Sequence, residues 1–416
     1  MCIRDRHSPL YYVLARLGME LFGSSIKVTR SIAALISLFS LPCIYFLAQE
    51  LFNSRLVGAI SITLLAVSPV HLLYAQEARE YSLLAVTILF SSWMLLRAMR
   101  IKSKNAWLMY SISVALGLYT HPLAMLAFIS HGIYGGIITR FSWKRFLAQY
   151  ILASGGGILL FSPWIWVFIF NGDGVGGWIE REISLHVWLQ RWCLNLGSIF
   201  FDLQISYGDR LFDVQTGQDS LLDFSNPITY SLIPTLLLIA YSLYYLTRYG
   251  KHSSLFILLL IGMSAALLGL PDLISGGQRS TISRYIIPVH LGIELAVAYC
   301  LTAKITNPKT SQKQRRLWQV IAIVLVSGGL WCSGNIVTAD TWWNKYSSYY
   351  NPQISKIIQQ SSTPLIIGSS ERISRLTSLS YLVPAQTKFC YFLKQFNKLI
   401  FHLVLVMCFC SNLMEN

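Results

Sequence analysis

Ser68-Pro69-Val70-His71-Leu72-Leu73-Tyr74-Ala75-Gln76-Glu77-Ala78-Arg79-Glu80-Tyr81 is a polar knot tied between two apolar runs, Leu56 to Ala75 and Tyr81 to Leu96. Each run, with its flanking residues, approaches the roughly 20 residues that a helix needs to cross a bilayer. The knot therefore belongs at a membrane surface. Within it Glu77, Arg79 and Glu80 stand between Tyr74 and Tyr81. Ionisable groups set this close to hydrocarbon are costly, so they mark a functional site by default. An ordinary solvated hairpin between two spans is the plainer reading of the same residues.

Outward from the knot, composition says the same. Of 416 residues, 54% are hydrophobic and 12% charged, about half the charge of a soluble domain. Ten apolar runs are expected to span: Ser31 to Ala48, Leu56 to Ala75, Tyr81 to Leu96, Ala106 to Thr120, Pro122 to Thr139, Phe146 to Phe170, Pro227 to Leu246, Ser253 to Leu273, Ile286 to Ala303 and Leu317 to Val337. The fold class is an all-α polytopic membrane protein. Several runs are short for an upright helix, which implies tilting.

The formal charge of +15 could suggest nucleic acid, but its placement gives another cause. Basic residues fall in alternate short loops, with Arg97 to Lys104, Arg140 to Arg145, Arg248 to Lys251 and Lys304 to Arg316 free of acids. Such a bias marks cytoplasmic loops. The excess is then topology, and no nucleic acid is expected as a partner. Cys43, Cys300 and Cys332 lie inside apolar runs, where small apolar packing is their role.

By the same alternation the opposite, outer face carries His7, the knot, His121, the loop from Asn171 to Asn226, the segment from Gly276 to Tyr285 and everything after Val337. That concentration argues for chemistry outside the cytoplasm on a lipid-linked substrate, since transporters place polar groups at mid-membrane. In the long loop, Ser184 to Gln204 has helical periodicity with Trp188, Trp192 and Leu196 at every fourth position. It is expected to be an amphipathic helix in the interface plane, tryptophans at headgroup level. Arg284 offers a fixed fork of donors that suits a phosphate, although a membrane-edge anchor would look alike. His290 and Glu294 share a helix face and are expected to pair within the bundle.

The ends are unusual. Met1 to Arg6 does not open a signal peptide, and the chain reaches His7-Ser8-Pro9-Leu10-Tyr11-Tyr12 at once. It reads as cut into from the left. The expected organisation is a remnant of a first outer loop and a juxtamembrane helix over residues 1–27, the bundle over 28–338, and an incomplete outer segment over 339–416. Within that last segment, Lys388 to Asn416 reads as a basic aromatic patch followed by an apolar run too short to span.

His7-Ser8-Pro9-Leu10-Tyr11-Tyr12, Gln76-Glu77-Ala78-Arg79 before a tyrosine, Tyr119-Thr120-His121, Ser162-Pro163-Trp164 and Arg284-Tyr285 with Pro288, in that order, resemble glycosyltransferase family 39. That family belongs to the C-type membrane glycosyltransferases and includes protein O-mannosyltransferases and aminoarabinose transferases. The resemblance runs from His7 to about Val337. It implies inverting transfer of a sugar from a polyprenyl-phosphate carrier to an acceptor hydroxyl on a protein, lipid or glycan, outside a plasma (inner) membrane.

It also implies roles for residues. His7, Arg284 and Tyr285 are assigned to the donor phosphate, and Glu77, Arg79 and His121 to catalysis. In the family the general base is an acid in a first outer loop upstream of the motif matching His7. Here Asp5 is too close to that motif, so Glu77 is the best remaining acid and the chain is expected to bind donor but transfer poorly. A divalent metal beside Glu77 is admitted, its identity open. Ser8 stands in place of the usual first proline and is expected to loosen that turn. The rivals are a flippase or transporter for a lipid-linked saccharide and a non-catalytic binding subunit.

Overall fold

The computed structural model describes residues 7–170, 182–202, 222, 225, 227–343, 348–369 and 373–392. The chain divides into two compact units, one of residues 1–207 with 217–336, the other of residues 208–216 with 337–416.

In the first unit every one of the ten apolar runs is helical. After α1 (Leu10–Phe22), the run from Ser31 is a broken helix, α2 (Ile26–Leu38) and α3 (Ser40–Phe52). The run from Leu56 is likewise two helices, α4 (Arg55–Val67) and α5 (Pro69–Ala75). Then come α6 (Tyr81–Ile101), α7 (Lys104–Thr120), α8 (Ala124–Ile138), α9 (Ala148–Phe170) and α10 (Leu185–Gly197). The unit ends with α11 (Leu232–Tyr249), α12 (Lys251–Ser275), α13 (Ile287–Thr306) and α14 (Gln312–Thr338).

By length and composition eight of the ten expected spans qualify. Among the described residues seven helices are long and apolar enough to cross a membrane, and the bent pair α4 and α5 makes an eighth. The remaining two, α7 with 17 residues and α8 with 15, are too short by that measure. Local signals explain many boundaries. Ser54, Ser103 and Ser184 cap α4, α7 and α10 by accepting from the backbone N–H three residues on, which satisfies one of the orphan donors of a helix start. Asn53 and Lys102 end α3 and α6 in the left-handed conformation, φ 49° and 56°.

The core centres on α13, where Leu291, Ile293, Leu295, Ala296, Val297, Ala298 and Leu301 are all buried. By contrast α9 leaves Leu152, Leu159 and Trp166 exposed, and α14 leaves Ile323 and Trp331 exposed, as suits helices at the lipid surface. Lipid is as apolar as leucine, so helices in a membrane associate through close packing and hydrogen bonds. Both are present. A Cβ on Gly135 of α8 would lie 2.0 Å from the Phe146 ring, an approach that only glycine allows. Ser92 Oγ of α6 lies 3.0 Å from His131 Nε2 of α8, and Tyr110 Oη of α7 lies 3.2 Å from His131 Nδ1.

The basic loops connect helices at the end of the bundle opposite the knot. There Arg100 meets Glu50 at 2.6 Å. Lys304 Nζ lies 4.5 Å from the Tyr245 ring centre, 5.3 Å from Tyr241 and 6.0 Å from Trp318, a cation held by three aromatic faces.

The second unit departs from an all-α chain. It contains α15 (Asn351–Ile358), β1 (Leu365–Ser369), α16 (Ile373–Ser380) and β2 (Lys388–Phe392). The strands pair in parallel, Leu365 opposite Lys388 and Ile367 opposite Cys390. Parallel neighbours need a crossover connection, and α16 lies within it. Lys388 to Phe392 is thus a strand; the rest of the expected patch, 393–416, lies outside the described residues.

Candidate active site

The site begins at the break that splits the knot's leading run. Pro69 has no N–H to offer a preceding turn and holds the residue before it out of the helical region, so Ser68 is extended (ψ 118°) and α5 starts afresh. Ser68 Oγ donates to the Ile199 carbonyl at 2.7 Å. The two helices meet at a bend of 61°. The turn after α5 then buries Glu77 and Glu80, 7% and 1% exposed, and leaves Arg79 exposed beside Tyr81 and Glu77.

Glu80 is the anchor for the segment around His7. Its carboxylate accepts from the Tyr12 hydroxyl at 3.2 Å and faces His7 Nδ1 at 3.6 Å. Burial first, and then the Glu80 charge, hold the Tyr12 phenol above its ordinary pKa. Ser8 is buried and its hydroxyl donates to the Leu118 carbonyl of α7 at 2.9 Å. The expected loosening is therefore corrected: the hydroxyl in place of proline fastens this turn to the bundle.

His121 ends α7 and lies between aromatic neighbours, its ring centre 6.3 Å from Tyr81 and 6.3 Å from Tyr285. Burial pushes its pKa down to about 4, partly offset by Glu80. Its Nδ1 accepts from the Leu123 N–H at 3.0 Å. A neutral imidazole whose Nδ1 accepts carries its proton on Nε2. His121 is thus a neutral donor at physiological pH.

Arg284 closes the cluster. Its guanidinium carbon is 5.5 Å from the Tyr81 ring centre and 5.4 Å from that of Tyr285, and Glu77, Tyr74 and Tyr81 lie within its electrostatic reach. Tyr74 packs edge-on against Tyr81 at 5.5 Å. All six residues singled out from the sequence, His7, Glu77, Arg79, His121, Arg284 and Tyr285, are thus joined through shared neighbours at one end of the first unit.

What the sequence reading left out is the framework. Asp272 of α12 accepts from Ser280 N and Oγ, both at 2.7 Å, and from Arg279 N at 3.0 Å. Trp188 and Trp192 donate their indole N–H groups to Ser280 Oγ at 3.1 and 3.2 Å, and Asn195 Nδ2 donates to the Thr281 carbonyl at 2.7 Å. The tryptophans expected at headgroup level commit their polar ends to the loop that presents Arg284. Asp272, an acid just after Pro271 in an apolar run, was the available signal. Glu80, Tyr12 and Tyr81 were also legible as neighbours of chosen residues. His290 and Glu294 do not pair as expected: Glu294 Oε2 meets His71 Nε2 of α5 at 3.3 Å.

Among the described residues no group of three or more His, Cys, Asp or Glu is arranged to hold a metal ion.

Two solved structures share this architecture. ArnT from Cupriavidus metallidurans in the apo state aligns with a TM-score of 0.56 at 15% identity, over 92% of this chain and 75% of that one. The same protein bound to undecaprenyl phosphate aligns with a TM-score of 0.53 at 15% identity, over 92% and 76%. The fold is that of a C-type membrane glycosyltransferase. Within this C-type fold, residues 6–167 match the family described as dolichyl-phosphate-mannose-protein mannosyltransferase. That stretch holds His7, Glu77, Arg79 and His121, so the likeness to glycosyltransferase family 39 has support in sequence there and in fold along the chain. No curated protein matches.

Proposed function

We propose that this chain transfers a glycosyl group from a polyprenyl-phosphate-linked sugar to an acceptor hydroxyl, with inversion, on the non-cytoplasmic side of a plasma (inner) membrane. The acceptor is a protein, lipid or glycan hydroxyl. The observation that carries the reading is Arg284 set between Tyr81 and Tyr285 and opposite the buried Glu77. A guanidinium is permanently charged and its donors fit phosphate oxygens. The family match over residues 6–167 and the undecaprenyl phosphate bound by the structural neighbour support this donor class.

In this reading the acceptor oxygen attacks the anomeric carbon as its bond to the phosphate oxygen breaks, and the phosphate leaves with the electron pair. Arg284, Tyr285 and His7 receive the charge that develops there, which is where preorganised donors are worth most. The acceptor proton passes to Glu77, a buried carboxylate whose charge reaches Arg284. Arg79 balances the charge of Glu77, and His121 Nε2 donates to the sugar or the departing phosphate. Charged groups at mid-span would favour the flippase reading; Glu294 of α13 is such a group, and it is paired with His71.

Membranes containing the chain are to be incubated with a radiolabelled polyprenyl-phosphate sugar and an acceptor extract. Label should move to acceptor slowly, in keeping with a chain expected to bind donor better than it transfers, as free polyprenyl phosphate accumulates. Binding of polyprenyl phosphate with no transfer would favour the non-catalytic subunit, and movement of intact donor across vesicles would favour the flippase.

A further inference from the structure

Beneath the candidate site lies a second ionisable cluster that the transfer chemistry does not use. Glu294 and His290 are fully buried in α13, and His71 of α5 turns its Nε2 to Glu294 at 3.3 Å. The Glu294–His71 approach is an ionic contact rather than an aligned hydrogen bond, and neither ring nitrogen of His290 has a hydrogen-bond partner. Ionisable residues in such a place cost stability unless their pairing serves something.

Their position says what. α5 carries His71 three residues before Tyr74 and six before Glu77. α13 carries Glu294 ten residues after Arg284, and it starts directly after the turn of Arg284 and Tyr285. The pair therefore links the two elements that supply the two halves of the site. Because α5 is broken from α4 by the 61° bend at Pro69, its direction is not inherited from a continuous helix and has to be fixed by lateral contacts. Tyr74 beside Ser283 is one such contact. His71 with Glu294 is a second, beside the packing of α5 on α2 and α6, and it is the one made of ionisable groups.

We propose that Glu294 is a positioning residue: through His71 it sets the angle of α5 and so holds Glu77 and Tyr74 opposite Arg284. It touches no substrate. Its consequence for turnover rests on the transferase reading, but its consequence for geometry does not.

The test is a double-mutant cycle with two readouts. Replacing both members of a buried ion pair by apolar residues of similar volume is often tolerated by the fold, whereas removing one partner is destabilising, so the double variant Glu294→Leu/His71→Leu should remain folded and the single variants are compared with it once their folding is checked. Each should lower kcat at least tenfold with little change in donor KM, and the double variant should lose no more than either alone. Glu294→Gln, of the same shape and able to accept a hydrogen bond from His71 where leucine cannot, should recover most of the rate. In parallel, the Tyr74→Cys/Ser283→Cys pair should be joined by a short bis-maleimide, and Glu294→Leu should cut that yield several-fold. Multiplicative losses in the cycle, or unchanged cross-linking in Glu294→Leu, would overturn the proposal. Should Glu294→Leu fail to fold, Glu294→Gln and His71→Gln in the same cross-linking assay decide it, the first preserving the yield and the second reducing it. Absent transfer by the unaltered chain with the cross-linking result intact would count against the transferase reading alone.

Discussion

Two polar clusters inside one bundle have opposite constitutions. Around His131, three helices contribute Ser92, Tyr110 and the imidazole, all buried, uncharged in composition, with both ring nitrogens partnered. Around Arg284, two carboxylates and two guanidiniums gather with His7 and Arg284 only partly covered. The first satisfies itself. The second keeps charge and exposed faces that another molecule could use. A polar residue in an apolar run is thus ambiguous until its partners are known: full mutual satisfaction marks glue between helices, whereas charge left facing a surface marks a site.

The sharpest way to break this contrast is Glu77→Gln. It should lower kcat by about 100-fold to 10,000-fold, the usual contribution of a positioned base, with unchanged polyprenyl phosphate binding. Full activity would move the base elsewhere. Next in size, Arg284→Ala should weaken binding of polyprenyl phosphate by on the order of 2 to 4 kcal/mol, as for loss of one charged contact in a sheltered site, measured by titration in detergent. An unchanged affinity would make Arg284 an anchor.

His121 sharpens the contrast through pH. Its folded pKa is lowered from 6.5 to about 4, so the neutral form is favoured by folding. Its contribution is present above pH 6.5 and is lost as pH falls through 4. Thermal unfolding midpoints should drop across that window, and His121→Gln should flatten the drop. The smallest effect belongs to the other cluster: Tyr110→Phe removes one hydrogen bond to His131 and should cost about 1 kcal/mol of stability, with kcat unchanged. A fall in kcat there would erase the distinction between the clusters.

Much of this was legible in the chain itself. The knot from Ser68 to Tyr81, the apolar runs and the basic loops placed Glu77, His121 and Arg284 at the same end of the bundle, because Glu77 and His121 follow helix ends there and Arg284 precedes a helix start. The proline that splits Leu56 to Ala75 was visible, yet hydropathy runs through it unbroken and conceals the bend. Helical spacing put His290 and Glu294 on one face, but it could not say which helix that face meets, and α5 supplied the partner. Glu80 stood three residues from Glu77 and was passed over, because choosing between two nearby acids requires knowing where Tyr12 and His7 come to rest. The parallel pair of Leu365 to Ser369 with Lys388 to Phe392 depends on contacts distant in sequence, which a local pattern of basic and aromatic residues does not encode.

The aromatic enclosure of Lys304 has a consequence for how the protein is made. Tyr241 and Tyr245 come from α11, Lys304 from α13 and Trp318 from α14, so the enclosure closes only after the last of these helices has left the ribosome and entered the lipid. Until then Lys304 is an ordinary hydrated charge that resists crossing; afterwards it is also bound by three rings. Insertion and tertiary assembly are thereby ordered in time. The orientation chosen early by charge is sealed late by packing, because the ring from α14 is the last to arrive.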